Sequence, residues 1–315
     1  MKMASIEQRV ITSTAPKRVL VTGATGFIGR KLVARLLERG DRVVVLARDP
    51  AKAARLFGTT VEIVGAAADL PAAARLDAFV NLAGESIAGG LWTARRRAVL
   101  VDSRLRVTQA LLALAARLET RPAVWLNASA IGYYGARPGD QPLGETAPCG
   151  TDFQAELCRR WEEAAQPAEA LGIAVARLRF GVVLGRDGGA LPSLARPVRW
   201  FVGARLGSGR QWVSWIHVHD LLELLLFVLD RADIRGPLNA TAPSPVRHAE
   251  LMRTLAGVLR RPLWPLPVPA WLLRALLGEL ADLFVAGQRV VPERALALGF
   301  EYRFATLEAA LRDLL

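Results

Sequence analysis

The stretch Thr22-Gly23-Ala24-Thr25-Gly26-Phe27-Ile28-Gly29 follows the short apolar run Val19-Leu20-Val21 and precedes a segment with apolar residues at helical spacing. A strand, a glycine turn and a helix in this order form the context in which a dinucleotide-binding fingerprint carries weight. Glycines let the backbone turn tightly and approach a pyrophosphate, and the N-terminus of a helix presents unpaired N–H groups at its positive dipole end. Because many glycine-rich turns bind nothing, the Gly-x-x-Gly-x-x-Gly spacing alone leaves both interpretations open.

Arg48 stands at the place where a sequence can distinguish the two nicotinamide cofactors. It follows the apolar run at residues 42–47, which predicts a second buried strand. About 20 positions after the fingerprint, an acidic side chain accepts from a ribose 2′-hydroxyl, whereas an Arg accommodates a 2′-phosphate. Arg48 therefore favours NADP(H), and the alternative is a solvated side chain at a strand end.

Strand-like and helix-like segments alternate through the first half of the chain. Apolar runs at residues 61–64, 78–84, 123–127 and 173–178 predict further strands. Such alternation predicts an α/β fold, a Rossmann doubly wound parallel sheet whose ligands bind at the carboxyl ends of the strands. The residues expected to contact the cofactor at these ends are Gly23, Thr25, Gly26, Phe27, Ile28, Gly29, Arg48, Leu82, Ala83 and Gly84.

Three regions are expected along the chain. Residues 1–16 are expected to form a disordered N-terminal tail, and residues 17–261 an NAD(P)-binding Rossmann domain. Within that domain, glycine- and proline-rich segments, mainly residues 182–215 and 236–261, predict a smaller α+β substrate-side region. A proline-dense stretch then begins a helical C-terminal appendage, a small domain at residues 262–315.

Composition argues against several classes of function. A chain of 315 residues with 52% hydrophobic content can bury a full core, and no apolar run reaches the length of a membrane span. The net charge of +12 comes almost entirely from arginines that look diffuse along the chain, so we expect no nucleic-acid binding. Two cysteines and three histidines show no metal-ligand spacing, so no metal site is expected. A polar N-terminus without the apolar core of a secretory signal predicts a soluble, cytoplasmic protein.

Three motifs occur together at predicted strand ends. They are the stretch at residues 22–29, Asn81-Leu82-Ala83-Gly84-Glu85, and Ser129 with Ile131-Gly132-Tyr133-Tyr134-Gly135. Together they resemble an extended short-chain dehydrogenase/reductase. A closer similarity, to the atypical "epimerase family" branch, rests on Asp102-Ser103-Arg104, residues 181–191, residues 207–217, residues 239–243 and residues 287–290. The resemblance covers residues 17–312 and implies a Rossmann domain, a substrate-binding region and a small C-terminal domain.

The resemblance also implies a catalytic Ser, Tyr and Lys, the last two spaced as Tyr-x-x-x-Lys on the helix after the Ser strand. Ser129 stands where the Ser is expected, and a purely structural hydroxyl is its alternative. The corresponding helix contains neither Tyr nor Lys. Phe153 or Gln154 occupies the place of the Tyr, and Cys158 or Arg159 the place of the Lys.

Other side chains could take over parts of this chemistry. Tyr134 is either a proton donor that reaches the nicotinamide from the Ser129 loop or a structural tyrosine. Arg159 could contact the ribose or a substrate anion, but its pKa is too high for a general base. Three more arginines are either ligands of a substrate anion or ordinary ion-paired or solvated side chains: Arg104, Arg179 and Arg210. The expected catalytic residues are therefore Ser129, Tyr134 and Arg159.

Two functions follow from these observations. The first is an NADP(H)-dependent oxidoreductase or epimerase that acts on a small polar substrate, for example a nucleotide-sugar-like one. The second is a non-catalytic NADP(H)-binding redox sensor or scaffold, which the missing Tyr-x-x-x-Lys pair favours. A small-molecule substrate is the expected partner, and a homodimer stays open.

Overall fold

The computed structural model describes residues 15–315, so all but the last two residues of the expected disordered tail, residues 1–16, lie outside the described part. The strands there are β1 (Arg18–Thr22), β2 (Arg42–Leu46), β3 (Glu62–Val64), β4 (Ala78–Asn81), β5 (Val124–Ala130), β6 (Ala174–Phe180), β7 (Val182–Gly185), β8 (Gly188–Gly189), β9 (Trp212–Val213), β10 (Trp215–His217), β11 (Gly236–Ala240) and β12 (Val246–Arg247).

The helices connect these strands and form the C-terminal region. They are α1 (Phe27–Glu38), α2 (Pro50–Phe57), α3 (Ala94–Arg117), α4 (Phe153–Ala165), α5 (Leu191–Arg199), α6 (Val218–Leu229), α7 (His248–Leu259), α8 (Ala270–Leu277), α9 (Asp282–Val285), α10 (Glu293–Ala297) and α11 (Leu307–Leu314). Short 3₁₀ helices lie at Ala67–Asp69, Ile131–Tyr134, Gln166–Leu171 and Gly278–Ala281. In residues 15–315 no helix is both long and apolar enough to cross a membrane.

A seven-stranded parallel sheet forms the centre of the molecule, in the order β11-β6-β5-β4-β1-β2-β3. Successive side chains point to opposite faces of the sheet, and helices cover both faces. The strands are therefore continuous hydrophobic runs in the sequence. Val19 and Val21 of β1 pack in the cluster that contains α1 and α6, whereas Leu20 packs in the cluster that contains α3. This arrangement confirms the predicted doubly wound parallel sheet.

The smaller region lies beyond β6 and combines short strands with helices. Strand β7 pairs with β10 and β8, and β9 pairs with β12. Leu191 of α5, Leu251 of α7 and Leu311 of α11 belong to one buried cluster. The helical C-terminal region therefore shares a core with the substrate-side region, and the division at residue 262 stays a prediction.

Candidate functional site

A cavity of about 700 Å³ opens at the carboxyl ends of β1, β2 and β4. It brings together seven of the ten residues expected to contact the cofactor, which are Gly23, Thr25, Gly26, Arg48, Leu82, Ala83 and Gly84. Ligands of open parallel sheets bind in this position, because the turns after neighbouring strands converge there. The cavity is therefore the candidate cofactor site.

The glycines of the first turn are required by close backbone contacts. Gly23 has a φ of 68°, and a Cβ on it would lie 2.5 Å from the carbonyl oxygen of Leu82. A Cβ on Gly29 would lie 2.2 Å from the carbonyl oxygen of Gly23. A side chain at Gly23 would push the turn away from the end of β4. A side chain at Gly29 would push α1 away from the turn. The glycine spacing thus holds the helix start against the cavity.

The N-terminus of α1 has the properties of a phosphate cradle. Its N-cap residue, Gly26, supplies no side-chain hydrogen bond, and the first turn contains no acidic residue. The first N–H groups of α1 are therefore left for a ligand, and the helix dipole favours a negative one. These residues fit the pyrophosphate of a dinucleotide.

The opposite side of the cavity carries positive charge. Arg48 is largely exposed, and its Nη2 lies 3.3 Å from Oε1 of Glu85. Lys52, one helical turn later in α2, lines the same cavity, as does Arg106 of α3. The sequence did not point to Lys52 or Arg106 as cofactor ligands. The four-residue spacing of Arg48 and Lys52 was a signal that the two could lie side by side. Together they suit a ribose 2′-phosphate, while Arg48 alone was expected to do so.

Phe27 and Ile28 meet the core with their side chains. Both pack against the cluster that contains α1 and α6. The Phe27 ring also covers the turn between β7 and β8, where a Cβ on Gly185 or Gly188 would lie 2.4 or 2.3 Å from it. The main-chain N–H groups of these two residues lie at the helix start, and their role in binding a ligand stays a prediction.

Helix α4 presents Gln154, Cys158 and Glu162 on one face toward the end of β5. A Cβ on Gly132 would lie 3.3 Å from the Gln154 Cβ and 3.7 Å from the Cys158 Sγ. Of the candidates for the places of the Tyr and the Lys, Gln154 and Cys158 are therefore the two that face the end of β5. Burial raises the pKa of the Cys158 thiol to about 12, so it stays protonated at neutral pH.

The other two candidates for these places point elsewhere. The Phe153 ring packs against Trp92, with ring centroids 5.3 Å apart. Arg159 is exposed and pairs with Glu156 and Glu163 on its own helix. The expectation that Arg159 contacts a ribose or a substrate anion is thus corrected, because its guanidinium is occupied by carboxylates at the surface.

Tyr134 is completely buried, which contradicts its expected role as a proton donor to a substrate. Its hydroxyl donates to Asn239 Oδ1 at 2.6 Å and accepts from Arg179 Nη1 at 3.0 Å. Burial raises the pKa of Tyr134 to about 12. The tyrosine is therefore a structural one that joins the end of β5 to β11.

Ser129 and Arg179 meet at the carboxylate of Glu162. The Ser129 hydroxyl donates to Glu162 Oε1 at 2.7 Å, and Arg179 donates from Nε and Nη2 at 2.8 and 2.9 Å. Burial alone would lower the pKa of Arg179, but the hydrogen bonds and charge of Glu162 outweigh it and raise the pKa. Arg179 is thus an internal ion-pair partner and not a ligand of a substrate phosphate. Ser129 is only 2% exposed, which favours its structural alternative.

Arg104 is a buried cation next to the cofactor cavity. It donates to the main-chain oxygens of Glu85 and Leu100, and its guanidinium carbon lies 4.9 Å from the centre of the Trp161 ring. Within residues 15–315 no carboxylate forms an ion pair with it, so the ion-pair alternative for this residue is not observed. A Cβ on Gly84 would lie 3.0 Å from Arg104 Cζ, which places the charge directly behind the cavity wall.

A second cavity, of about 410 Å³, is rich in arginine. Its charged lining residues are Arg137, Arg210, Arg247, Arg274 and Asp140. The guanidinium carbons of Arg247 and Arg289 lie 4.0 and 4.9 Å from the centre of the Trp212 ring on its wall. Arg210 was a candidate anion ligand from sequence, whereas the others come from separate segments that sequence could not bring together.

The arginine-rich cavity lies beside the end of β5. Gly287 lines the cavity, and the side-chain amide of the next residue, Gln288, donates to the main-chain oxygen of Ile131 at 3.3 Å. Ile131 directly follows β5, the strand that carries Ser129. An anion held in this cavity would therefore lie along the same edge of the sheet as the cofactor cavity.

Comparison with known proteins gives one family. Residues 19–239 match the NAD dependent epimerase/dehydratase family, and residues 268–314 match a domain of unknown function, DUF1731. The chloroplastic "epimerase family protein SDR39U1 homolog" of Arabidopsis thaliana is 42% identical over 311 residues, which cover 94% of this chain and 86% of that protein. The "epimerase family protein YfhF" of Bacillus subtilis is 36% identical over 301 residues, which cover 94% and 97%.

A solved structure agrees with these relatives. Human epimerase family protein SDR39U1 (isoform 2), crystallised with NADPH, is 35% identical and matches with a TM-score of 0.85 over 94% of this chain and 98% of that chain. Fold, motifs and relatives thus agree with the resemblance drawn from the sequence, and the chain belongs to the NAD-dependent epimerase/dehydratase family.

Proposed function

We propose that this protein binds NADP(H) and exchanges a hydride between the nicotinamide and a small anionic substrate. The observation that carries the proposal is the cofactor cavity, with an uncapped helix N-terminus at one side and Arg48 and Lys52 at the other. The first feature suits a pyrophosphate and the second a 2′-phosphate. The NADPH in the human relative supports the same cofactor here.

The arginine-rich cavity supports the substrate class. Four arginines and one aspartate line it, so the field inside favours a phosphate or carboxylate group. The guanidinium groups of Arg247 and Arg289 both lie within cation–π distance of the Trp212 ring. A phosphorylated or nucleotide-linked carbonyl compound or alcohol fits this lining.

The residues around the expected nicotinamide position favour a single hydride transfer over epimerisation. The nicotinamide supplies or accepts the hydride when the cofactor is bound. Gln154, at the place of the Tyr, can donate a hydrogen bond to a substrate oxygen but cannot give up a proton to it. Arg104 supplies a fixed positive charge that stabilises negative charge developing on that oxygen. Since no accessible titratable acid occupies the place of the Tyr, we assign the proton to water.

A non-catalytic NADP(H)-binding sensor is the second candidate function. The specific observation in its favour is that the Ser129 hydroxyl is donated to Glu162 and almost fully buried. In that arrangement the residue at the catalytic Ser position holds the structure together and does not face a substrate. Such a protein would bind the cofactor as tightly as an enzyme does, so binding alone does not separate the two functions.

The first experiment is a fluorescence titration of the purified protein with NADPH and with NADH, after a check for cofactor retained through purification. NADPH-selective binding supports the proposal, and failure to bind either cofactor contradicts both functions. A panel of phosphate- and carboxylate-bearing aldehydes and ketones then tests turnover through the loss of absorbance of reduced nicotinamide. Selective binding with no turnover across the panel would favour the sensor. If turnover is found, Ser129→Ala should leave its rate unchanged.

A further inference from the structure

Two segments hold most of the excess positive charge of the chain. Residues 188–219 and 251–278 contain eight arginines and no Asp or Glu, against a net charge of +12 for the whole protein. The eight are Arg196, Arg199, Arg205, Arg210, Arg253, Arg260, Arg261 and Arg274. Of these, only Arg274 has a carboxylate partner among the described residues, Asp282 at 3.4 Å. The net positive charge is therefore concentrated in these segments because they lack acidic residues, while the arginines themselves are spread along the chain as expected.

The same two segments expose large apolar side chains. Seven of the twelve large hydrophobic residues that stand exposed in residues 15–315 belong to them. They are Trp200, Phe201, Val202, Trp264, Leu266, Trp271 and Leu276. Trp200 is 72% exposed and Trp271 is 70% exposed, although tryptophans elsewhere in the chain, such as Trp125 and Trp215, are fully buried.

Hydrogen bonds between the two segments make these residues one surface. The N–H of Trp264 donates to the carbonyl oxygen of Gly203 at 2.7 Å, and that of Val268 donates to the carbonyl oxygen of Arg205 at 2.8 Å. The Arg261 guanidinium lies 4.8 Å from the centre of the Phe201 ring. Helix α8, which carries Trp271, continues from this pairing and contains no buried residue. We call these seven apolar side chains, together with Arg199, Arg260 and Arg261, the tryptophan–arginine surface.

We propose that the tryptophan–arginine surface attaches the protein peripherally to an anionic lipid bilayer. Tryptophan is favoured at the boundary between lipid headgroups and acyl chains, because its ring is apolar and its N–H is polar. Short apolar helices with arginine lie in the same plane, and each arginine near an anionic leaflet adds electrostatic attraction. Neither segment contains an acidic residue, which limits the repulsion that an anionic surface would meet.

Other occupants fit this surface less well. A second copy of the chain, docked through the same surface about a twofold axis, would bring the unpaired arginines against one another. A nucleic acid could stack its bases on the aromatic rings, but Val202, Leu266 and Leu276 have no ring on which a base could stack. The absence of a membrane-spanning helix from the described residues agrees with attachment at the surface of a bilayer.

The test is sedimentation of the full-length protein with vesicles of phosphatidylcholine alone or mixed with phosphatidylglycerol. We expect binding to the anionic vesicles only, weakened by salt and accompanied by a blue shift of tryptophan fluorescence. The triple variant Trp200→Ser/Trp264→Ser/Trp271→Ser should lose binding. The triple variant Arg199→Gln/Arg260→Gln/Arg261→Gln should bind about 100-fold more weakly.

Matched controls keep the test specific. Leu56→Ser/Leu91→Ser removes two exposed apolar side chains outside the surface and should bind vesicles like the wild type. All variants should retain the melting temperature of the wild type, which shows that they fold. The proposal is overturned if the wild type does not bind anionic vesicles, or if the triple tryptophan variant binds them as tightly as the wild type. It is also overturned if light scattering shows that the wild type is a dimer and that, among the variants, only the tryptophan variant is a monomer.

Discussion

Glu162 of α4 and Arg179 of β6 form two parallel hydrogen bonds, Nε–Oε1 at 2.8 Å and Nη2–Oε2 at 2.9 Å, with both side chains less than one tenth exposed. Removing one partner of such a pair leaves a buried charge without compensation. We therefore expect Glu162→Ala to lower the free energy of unfolding by about 3–5 kcal/mol.

A double-mutant cycle in urea measures this coupling. Glu162→Leu/Arg179→Met replaces both charges with apolar groups and should be more stable than either single variant. Additive effects of the two single changes would contradict the coupling. Thr254→Ala, at a half-buried threonine whose hydroxyl donates to the Glu250 carbonyl oxygen of its own helix, serves as a control with little effect.

Arg48 should set the preference for the phosphorylated cofactor. Within residues 15–315 its guanidinium makes one ion pair, a long contact with Glu85, and it lines the cavity, so it can meet a 2′-phosphate. We expect Arg48→Asp to weaken NADPH binding by about 100-fold and to leave NADH binding unchanged or improved. Fluorescence titrations with both cofactors check this, and Arg55→Asp, outside the cavity on the neighbouring helix α2, should change neither affinity. An NADPH preference that survives Arg48→Asp would assign the 2′-phosphate to Lys52 and Arg106 instead.

Arg104 should replace the missing Lys as the cation beside the cofactor. Arg104 and Cys158 lie close enough for the charge of one to shift the pKa of the other. Arg104→Ala removes a buried, unpaired charge, so we expect unchanged or higher thermal stability together with at least tenfold weaker NADPH binding. A purely structural arginine would change stability and affinity in the same direction.

A second substitution provides the rescue. Arg104→Ala/Cys158→Lys puts a cation at the position where Tyr-x-x-x-Lys would have it, and NADPH affinity should recover most of its loss. Cys158→Lys alone places two cations together in a buried site and should destabilise the fold. If the double variant binds NADPH no better than Arg104→Ala, the two positions are not equivalent.

The glycines at the facing ends of β7 and β8 should be required by Phe27. A methyl group on Gly188 would lie 2.3 Å from a ring atom of Phe27, so Gly188→Ala is expected to cost about 1–3 kcal/mol of stability. Adding Phe27→Ala should recover part of that loss, because the ring no longer blocks the methyl group. Gly257→Ala is the control, since that helical glycine faces open space and should gain up to about 1 kcal/mol. Thermal unfolding of the four proteins tests the order of stability.

The sequence predicted those parts of the molecule that depend on local physics. The strand, glycine turn and α1 follow from short-range requirements, because Gly23 and Gly29 each clash with a neighbour in the turn if they carry a side chain. The parallel sheet follows from buried apolar runs separated by helical segments. Arg48 could be placed in the cavity because its position after β2 is fixed by the same topology.

What the sequence could not predict depends on contacts between distant segments. Tyr134 looked like a possible acid, but its hydroxyl binds Asn239, 105 residues away, inside the core. The choice between Phe153 and Gln154, or Cys158 and Arg159, required the rotation of α4 about its axis. That rotation is set by the packing of Gly132 against Gln154 and of Glu162 against Arg179. The arginine-rich cavity likewise forms only where five separate parts of the chain meet.

His248, at the start of α7, should make stability depend on pH. It is 5% exposed, and neither ring nitrogen has a hydrogen-bond partner within residues 15–315. Burial lowers the pKa of His248 to about 4, whereas an unfolded histidine titrates near about 6.5. The unfolded chain therefore binds a proton first as the pH falls, so the stabilising contribution is complete above about pH 6.5 and is lost progressively down to about pH 4. Between about pH 7.5 and about pH 5 this loss amounts to about 2 kcal/mol, and we expect it to be absent from His248→Phe. Urea unfolding of both proteins at about pH 7.5, 6 and 5 gives the difference, in which titrations common to both cancel. Parallel curves for the two proteins would show that His248 is charged or solvated in the native state.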